Sequence, residues 1–148
     1  MIKLTLDMPP TGNHRLTISK SNRRLIKAPA YRAWMDAAAW QIKAQLATLG
    51  IKEPIATKSF SVLNVVAPDL RKRDYDNVAK CINDALQKGG AITDDALIKC
   101  AFSYSTLDRV NGGVVNIFLG QFTTEDISQA NSMINQALLF EQKGLKND

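Results

Sequence analysis

The sequence predicts a small mixed α/β (α+β) fold, in which helices pack on one β-sheet of about four strands in the order β-α-β-α-β-β-α. Apolar residues recur every second residue in some segments and every third or fourth in others, which predicts strands and helices respectively. Clusters of Gly, Pro and Asn separate these segments and mark the turns. The length of 148 residues suits one domain with a moderate core.

The composition argues against a membrane protein. Hydrophobic residues make up 45% of the chain and charged residues 22%, as in ordinary globular domains. No apolar run approaches the roughly 18 residues of a membrane span, and the alternating N-terminus is typical of a strand rather than a signal peptide. We therefore expect a cytoplasmic protein. Cys81 and Cys100 fit no zinc-binding spacing, and we expect both thiols to be reduced and buried.

The first half of the chain predicts a strand, a polar loop and a helix. Residues 2–7 alternate apolar and polar, and Pro9 ends this strand because proline cannot donate to a ladder. A loop rich in Ser and Asn follows to about Pro29. A helix is predicted from Ala30 to Leu49, with Gly50 as its stop signal. Its expected buried stripe is Met35, Ala38, Ile42, Leu46 and Leu49, and Tyr31, Trp34 and Trp40 are expected to pack.

The middle of the chain predicts a central strand and a second helix. Residues 59–67 are apolar on both faces, as a strand in the interior of a sheet would be. A helix is predicted over 77–88, with Asp76 as N-cap and Gly89-Gly90 as its end. Its expected buried stripe is Val78, Ile82, Ala85 and Leu86.

The last third predicts a turn, two strands and a third helix. After the turn at 93–95, residues 97–106 place Ile98, Cys100, Phe102 and Tyr104 on one side of a strand. The Asn111-Gly112-Gly113 turn signals a hairpin with the returning strand 114–119. A last helix is predicted over 124–143, with Thr123 as its cap.

Basic residues are concentrated near the N-terminus. The net charge is +5, and no acidic residue lies between Asp7 and Asp36. A cationic loop is often only a solvated surface, but nucleic acid is the partner that uses one most directly. A second basic run precedes the second helix. The candidate DNA-binding residues of the two regions are Lys20, Arg23, Arg24, Lys27, Arg71, Lys72 and Arg73.

The acidic residues beside the second basic run are candidate metal ligands. If the backbone is extended at 74–76, Asp74 and Asp76 point to the same side, where their charges repel unless a cation lies between them. Mg²⁺ prefers such oxygen ligands. Asp94 and Asp95 form a second acidic pair, of which only one can face the same cluster. The alternative interpretation makes Asp76 only a helix cap and the second pair only a turn.

These motifs resemble the signature of the RusA family of Holliday-junction resolvases. The resemblance rests on Arg73-Asp74-Tyr75-Asp76-Asn77-x-x-Lys80, then Asp84-Ala85-Leu86, then Ile92-Thr93-Asp94-Asp95, with Pro9-Pro10-Thr11-x-Asn13 before the basic loop. It covers roughly residues 2–120, which we expect to form the nuclease domain, with 121–148 as a C-terminal helical extension. Tyr75 and the acidic extension depart from the family pattern.

The resemblance implies a homodimer that cleaves four-way DNA junctions during recombination and repair. It also implies that cleavage requires Mg²⁺, for which Mn²⁺ can substitute, and that the protein is encoded by a bacterium or a phage. By position, Asp74, Asp76 and Asp95 match the metal-binding carboxylates, with Asp94 as an alternative ligand, and Lys80 matches the catalytic lysine. The alternative role of Lys80 is an ion pair with Asp84 or Asp76. Two other functions are weighed against the resolvase: a DNA-binding module without catalysis, and a magnesium-dependent hydrolase of small phosphoesters.

Overall fold

The computed structural model describes residues 1–10, 16–18, 24–71, 73–106, 108–123 and 125. The strands are β1 (Ile2–Asp7), β2 (Leu16–Ile18), β3 (Leu25–Lys27), β4 (Ser59–Val66), β5 (Ile98–Ser105) and β6 (Val114–Gln121). The helices are α1 (Pro29–Thr48) and α2 (Tyr75–Lys88), and a short 3-10 helix spans Asp95–Leu97. The mixed α/β prediction is therefore confirmed. The predicted helix over 124–143 lies outside the described residues.

A four-stranded mixed sheet with the order β1-β6-β4-β5 forms the centre of the domain. β6 runs antiparallel to both of its neighbours, whereas β4 and β5 are parallel. A parallel pair needs a crossover connection, which α2 provides between β4 and β5. β4 lies in the interior of the sheet, which confirms the prediction from its apolar run.

The helices cover one face of this sheet and bury the core against it. The predicted stripe of α2 is buried completely and includes Cys81 as well. On α1, the predicted stripe is buried except for Leu49, which follows the last helical residue and is 52% exposed. Trp40 is also exposed, contrary to expectation. An ion pair between Lys88 and Asp36 joins the two helices at their outer surfaces.

Three predictions about strands are corrected. The predicted basic loop contains a two-stranded antiparallel ribbon, β2–β3. The glycines of the predicted hairpin turn have positive φ, but the strands on either side of them are not paired, because β4 lies between β5 and β6. Cys100 is exposed, because β5 is an edge strand and its open-face side chains have no layer above them among the described residues.

No helix in the described part of the chain is long and apolar enough to cross a membrane.

The end of α2 depends on a close contact with α1. Gly89 caps α2, and a Cβ added there would lie 2.6 Å from the Ile42 Cβ and 2.7 Å from its Cγ2. We expect Gly89→Ala to lower the free energy of unfolding by roughly 1–3 kcal/mol, because the added methyl overpacks a filled core. Chemical denaturation measures this change.

The control for this prediction is a double-mutant cycle with Ile42→Ala. Alanine keeps the Ile42 Cβ but removes Cγ2 and Cδ1, two of the three atoms closest to the added methyl group. The double mutant should therefore lose less stability than the sum of the two single losses. Additive losses, or a Gly89→Ala protein as stable as the parent, would contradict the contact.

Candidate active site

Asp74 determines where α2 begins. Its backbone is extended, with φ −89° and ψ 106°, and its Oδ1 accepts a hydrogen bond of 3.1 Å from the Asp76 N–H. Its Oδ2 accepts one of 2.6 Å from the Asn77 side-chain amide. Asp74 is therefore the N-cap, a role that the sequence analysis gave to Asp76. The helix starts earlier than predicted because the Asp74 carboxylate satisfies an amide that has no partner within the helix.

The two carboxylates at the start of α2 are not arranged by strand alternation. Only Asp74 is extended, since Tyr75 and Asp76 already belong to the helix. Both Asp74 and Asp76 are exposed. The positive end of the helix dipole favours negatively charged side chains at this position. The first turn of α2 thus presents two accessible carboxylates side by side.

The second acidic pair lies at the other end of β4. Asp94 caps the 3-10 helix by accepting a 2.8 Å hydrogen bond from the Ala96 N–H, and Asp95 is half-buried. The preceding Thr93 lies beside the last turn of α2, where its carbonyl accepts a hydrogen bond from Gln87. β5 then begins opposite the first residue of β4. Asp74, by contrast, follows the last residue of β4 by eight positions.

A single chain therefore does not assemble the three predicted metal ligands. Within the described ranges, no three His, Cys, Asp or Glu side chains come close enough to hold a metal ion. The donor chemistry at the start of α2 still fits Mg²⁺, because carboxylate oxygens are its preferred protein ligands and both groups are open to solvent. The geometry of one chain supplies two of the predicted ligands there, Asp74 and Asp76.

Lys80 is available for chemistry on the surface of α2. Its side chain is exposed, and it follows Asp76 by one helical turn, so the two share one side of the helix. Among the described residues, no ion pair joins Lys80 to either of its predicted partners. Asp84 instead accepts a 3.1 Å hydrogen bond from the Tyr31 hydroxyl. The predicted ion pair of Lys80 with Asp84 or Asp76 is therefore not present in the described part of the chain.

Tyr31 is a residue to which the sequence analysis assigned only packing. It is buried at the start of α1, and its ring lies 5.9 Å from the Lys27 Nζ. Burial, and after it the charges of Cys81 and Asp84, raises the pKa of the Tyr31 hydroxyl, which therefore stays a hydrogen-bond donor. No sequence spacing reveals this contact, because it joins residues 53 positions apart.

The basic run before α2 contains two arginines with different surroundings. The Arg73 side chain is only 10% exposed; its Nη2 lies 2.7 Å from Asp69 Oδ1, and its Nη1 donates to the Arg71 carbonyl. The Arg71 side chain is 86% exposed. The Arg71 N–H, and after it the Arg73 guanidinium, lowers the pKa of Asp69. Arg73 thus orders the loop, whereas Arg71 contacts the same Asp69 more loosely, at 3.7 Å, with most of its side chain in solvent. Lys72 lies outside the described residues.

Two of the other candidate DNA-binding residues, Arg24 and Lys27, lie beside and on the β2–β3 ribbon. Arg24 and Lys27 are exposed, whereas Lys20 and Arg23 fall outside the described residues. The ribbon also exposes apolar side chains, which the sequence analysis did not single out: Leu16, Ile18, Leu25 and Ile26. It therefore presents both cationic and apolar groups to a partner.

The fold and these residues define a small mixed α/β protein with an acidic site and a basic loop at the start of one helix. Residues 7–117 match the sequence model of the family described as Endodeoxyribonuclease RusA. The match covers well over half of the chain, and the chain therefore belongs to the RusA family.

Individual relatives agree with the family match. The chain is 28% identical over 108 residues to the crossover junction endodeoxyribonuclease RusA of Aquifex aeolicus, covering 68% of this chain and 82% of that protein. It is 34% identical over 95 residues to the protein of the same name from Enterobacteria phage 82, covering 64% and 74%. The corresponding protein of Escherichia coli K12 is 33% identical over 95 residues, with the same coverage.

Proposed function

We propose that this protein is a structure-specific endonuclease that resolves Holliday junctions by Mg²⁺-dependent hydrolysis of phosphodiesters, as a homodimer that makes two symmetric nicks during recombination and repair. The observation that carries the proposal is the presence of two exposed carboxylates at the start of α2 and an exposed lysine one turn after the second, in a chain of the RusA family. Relatives named crossover junction endodeoxyribonucleases support the choice of branched DNA as substrate.

Asp74 and Asp76 are the proposed Mg²⁺ ligands at the start of α2, together with Asp95 and with Asp94 as its alternative. When bound there, the ion would polarise the scissile phosphate and lower the pKa of the attacking water. Because β4 separates the two acidic pairs within one chain, a site with three carboxylates needs a second chain. The proposed homodimer supplies one.

In the proposed mechanism, Lys80 places its positive charge beside the reacting phosphate. Negative charge increases on the phosphate oxygens and on the leaving 3′ oxygen as water attacks, and a cation held in place on a helix stabilises that charge. Among the described residues, Lys80 is exposed and forms no ion pair, and its predicted partner Asp84 accepts a hydrogen bond from Tyr31 instead. Arg71 is placed to hold a flanking phosphate, since its side chain points into solvent from the loop before α2.

Incubation with an end-labelled four-way junction tests the proposal directly. We expect paired nicks in the presence of Mg²⁺ or Mn²⁺ and none in EDTA, with little cleavage of a linear duplex of the same sequence. Junction binding without any nicking would identify a DNA-binding module instead. Turnover of a chromogenic phosphodiester without preference for branched DNA would identify a small phosphoesterase.

Affinity for the junction should fall steeply with salt. The exposed cations, among them Arg24, Lys27 and Arg71, release counterions from the DNA when they bind phosphates. If roughly six phosphate contacts form, a plot of log affinity against log salt concentration should have a slope of about −5. Fluorescence anisotropy in Mg²⁺-free buffer measures this slope.

Arg71→Gln is the matched variant for the salt titration. It removes one exposed cation and its 3.7 Å contact with Asp69 but keeps the closer Asp69–Arg73 pair, so the slope should become shallower by about 1. An affinity that is independent of salt would contradict the electrostatic contribution.

A further inference from the structure

The β2–β3 ribbon has one face on which apolar side chains are exposed together. In the register of the two strands, Ile18 lies opposite Leu25. Leu16 and Lys27 lie opposite each other two positions along, and therefore on the same face. Leu16 is 52%, Ile18 64% and Leu25 65% exposed. These three side chains form the ribbon face, and burial in the core of the described chain does not explain their presence.

Positive charge surrounds the ribbon face. Arg24 and Lys27 are exposed, and the sequence has no acidic residue between Asp7 and Asp36. A second ribbon is a poor partner, because it would bring like charges together. A partner that fits this face offers negative charge around an apolar surface. DNA has that combination where the flat face of a base pair is exposed among phosphates.

The ribbon leaves the sheet at the same edge as the loop that leads to the acidic site. Asp7, the last residue of β1, and Val66, the last residue of β4, both pair with Val114 of β6. From Asp7 the chain continues into the ribbon, and from Val66 it continues into the loop that ends at Asp74. The two segments therefore begin side by side.

The other end of the ribbon lies beside α2. Lys27 ends β3, and its Nζ lies 5.9 Å from the centre of the Tyr31 ring. The Tyr31 hydroxyl donates its hydrogen bond to Asp84, which follows Lys80 by one helical turn. Lys27 and Asp84 also line one cavity. The ribbon is thus anchored next to the side of α2 that carries Lys80.

We propose that the ribbon face packs against the base pairs exposed at the branch point of a DNA junction and so directs the acidic site to branched DNA. The inference rests on the proposed function and adds to it the group that distinguishes a junction from a continuous duplex. Leucine and isoleucine side chains act as wedges in other DNA-binding proteins, where they partly unstack a base step. The cations around the face hold the neighbouring phosphates.

The selectivity follows from what each DNA form exposes. Burial of one leucine or isoleucine side chain corresponds to a gain in affinity of roughly tenfold or more. A continuous duplex has no exposed base-pair face, so the ribbon face gains this contact there only if a base step is first unstacked. At a branch point the stacking between arms is already interrupted. The ribbon face therefore adds affinity for junctions and little for duplexes.

The double substitution Ile18→Thr/Leu25→Thr tests the contact, because threonine keeps a high strand propensity but removes most of the apolar surface. Fluorescence anisotropy in Mg²⁺-free buffer should show junction affinity reduced by roughly tenfold. Affinity for a linear duplex of the same sequence should change by less than about twofold, since its phosphates are still bound. Ile26→Thr is the matched control: Ile26 is 38% exposed on the opposite face of the ribbon, and junction affinity should be kept.

Lys27→Gln distinguishes the apolar contact from the electrostatic one. Loss of a cation that binds phosphate weakens binding to all DNA forms alike. Lys27→Gln should therefore lower junction and duplex affinity by the same factor, whereas Ile18→Thr/Leu25→Thr lowers junction affinity selectively. If the double substitution lowers both affinities equally, or neither, the proposal is overturned.

A fluorescent base at the branch point reports the contact directly. The fluorescence of 2-aminopurine placed there should increase when the unaltered protein binds, since an aliphatic side chain in place of a neighbouring base removes the stacking that quenches the probe. The probe placed well inside one arm should not respond. Saturating Ile18→Thr/Leu25→Thr protein should leave both probes unchanged, and an increase equal to that of the unaltered protein would overturn the proposal.

Other partners of the ribbon face predict different results for Ile18→Thr/Leu25→Thr. A lower melting temperature would show that the face is covered within the protein. A smaller mass in light scattering would show that it binds a second copy. Loss of binding to vesicles of equal parts phosphatidylglycerol and phosphatidylcholine, at unchanged junction affinity, would show that it binds a membrane surface. Each of these results overturns the contact with DNA.

The ribbon contact and the proposed function fail separately, because anisotropy and fluorescence are measured without Mg²⁺ and do not depend on nicking. An unaltered protein that leaves junctions uncut in Mg²⁺ but shows the fluorescence increase contradicts the proposed function and supports the ribbon contact. A protein that nicks junctions, and in which Ile18→Thr/Leu25→Thr keeps full junction affinity, supports the function and overturns the ribbon contact.

Discussion

Asp74→Asn should lower the rate at which a four-way junction is nicked by more than about 10²–10³-fold, while junction binding and folding persist. Asparagine caps helices about as well as aspartate, and its side-chain oxygen can still accept the hydrogen bond from the Asp76 N–H. The substitution therefore removes a negative charge and a metal ligand with little change at the start of α2. Single-turnover cleavage and anisotropy, measured in parallel, separate catalysis from binding.

Further substitutions separate the metal-binding role of Asp74 from its capping role. Asp76→Asn should lose activity similarly, whereas Asp108→Asn, which removes an exposed carboxylate elsewhere, should stay active. Asp74→Ala removes the cap as well, so it should lose about 1 kcal/mol of stability that Asp74→Asn keeps. Full nicking activity in Asp74→Asn or Asp76→Asn would reject the metal assignment.

Lys80→Ala should cleave on the order of 10²–10³ times more slowly while keeping nearly the parent melting temperature. The small effect on stability follows from the structure, because Lys80 is exposed and has no ion pair with Asp76 or Asp84. Even an intact surface pair on a helix contributes only about 0.3–0.5 kcal/mol. A large change in rate with almost no change in stability identifies a catalytic group.

Lys80→Arg and Lys43→Ala complete the test. Arginine keeps the charge but carries it on a longer planar group, so partial activity at best is expected. Lys43 is another exposed helical lysine, on α1, and its removal should leave cleavage unchanged. If Lys80→Ala cleaves at the parent rate, the lysine is structural and its match to the family motif is misleading.

Local sequence signals predicted most of the helices and strands, but they did not predict which strands pair with each other. The apolar stripe of α2 and the run of β4 each lie within one segment, and both predictions are confirmed. The predicted hairpin was wrong because a turn signal specifies a reversal of the chain, not the strand that then lies alongside. The β2–β3 ribbon was missed because its strands are only three residues long and lie in a polar segment.

The candidate site was predictable to the extent that it is local. The motif contains Asp74, Asp76 and Lys80, and its spacing correctly placed Asp76 and Lys80 one turn apart. The strand alternation predicted for Asp74 and Asp76 was wrong, because the helix begins directly after Asp74. The position of Asp95 depends on the parallel pairing of β4 with β5, which no spacing along the chain specifies. Likewise, the sequence cannot distinguish Arg73 from Arg71. Both contact Asp69, and only the fold makes the Arg73 contact the closer one, 2.7 Å against 3.7 Å, and leaves Arg73 10% exposed and Arg71 86% exposed.

The distance between the two acidic pairs can be compared with the spacing of nucleotides along a DNA strand. α2 has 14 residues, which makes it about 20 Å long, and the pairs lie near its opposite ends. Adjacent nucleotides of one strand rise by about 3.4 Å, so the two pairs of a single chain are about six nucleotide steps apart. If the proposed function holds, one scissile phosphate can contact only one of the two pairs of a chain, and the other pair would lie about half a helical turn of DNA away.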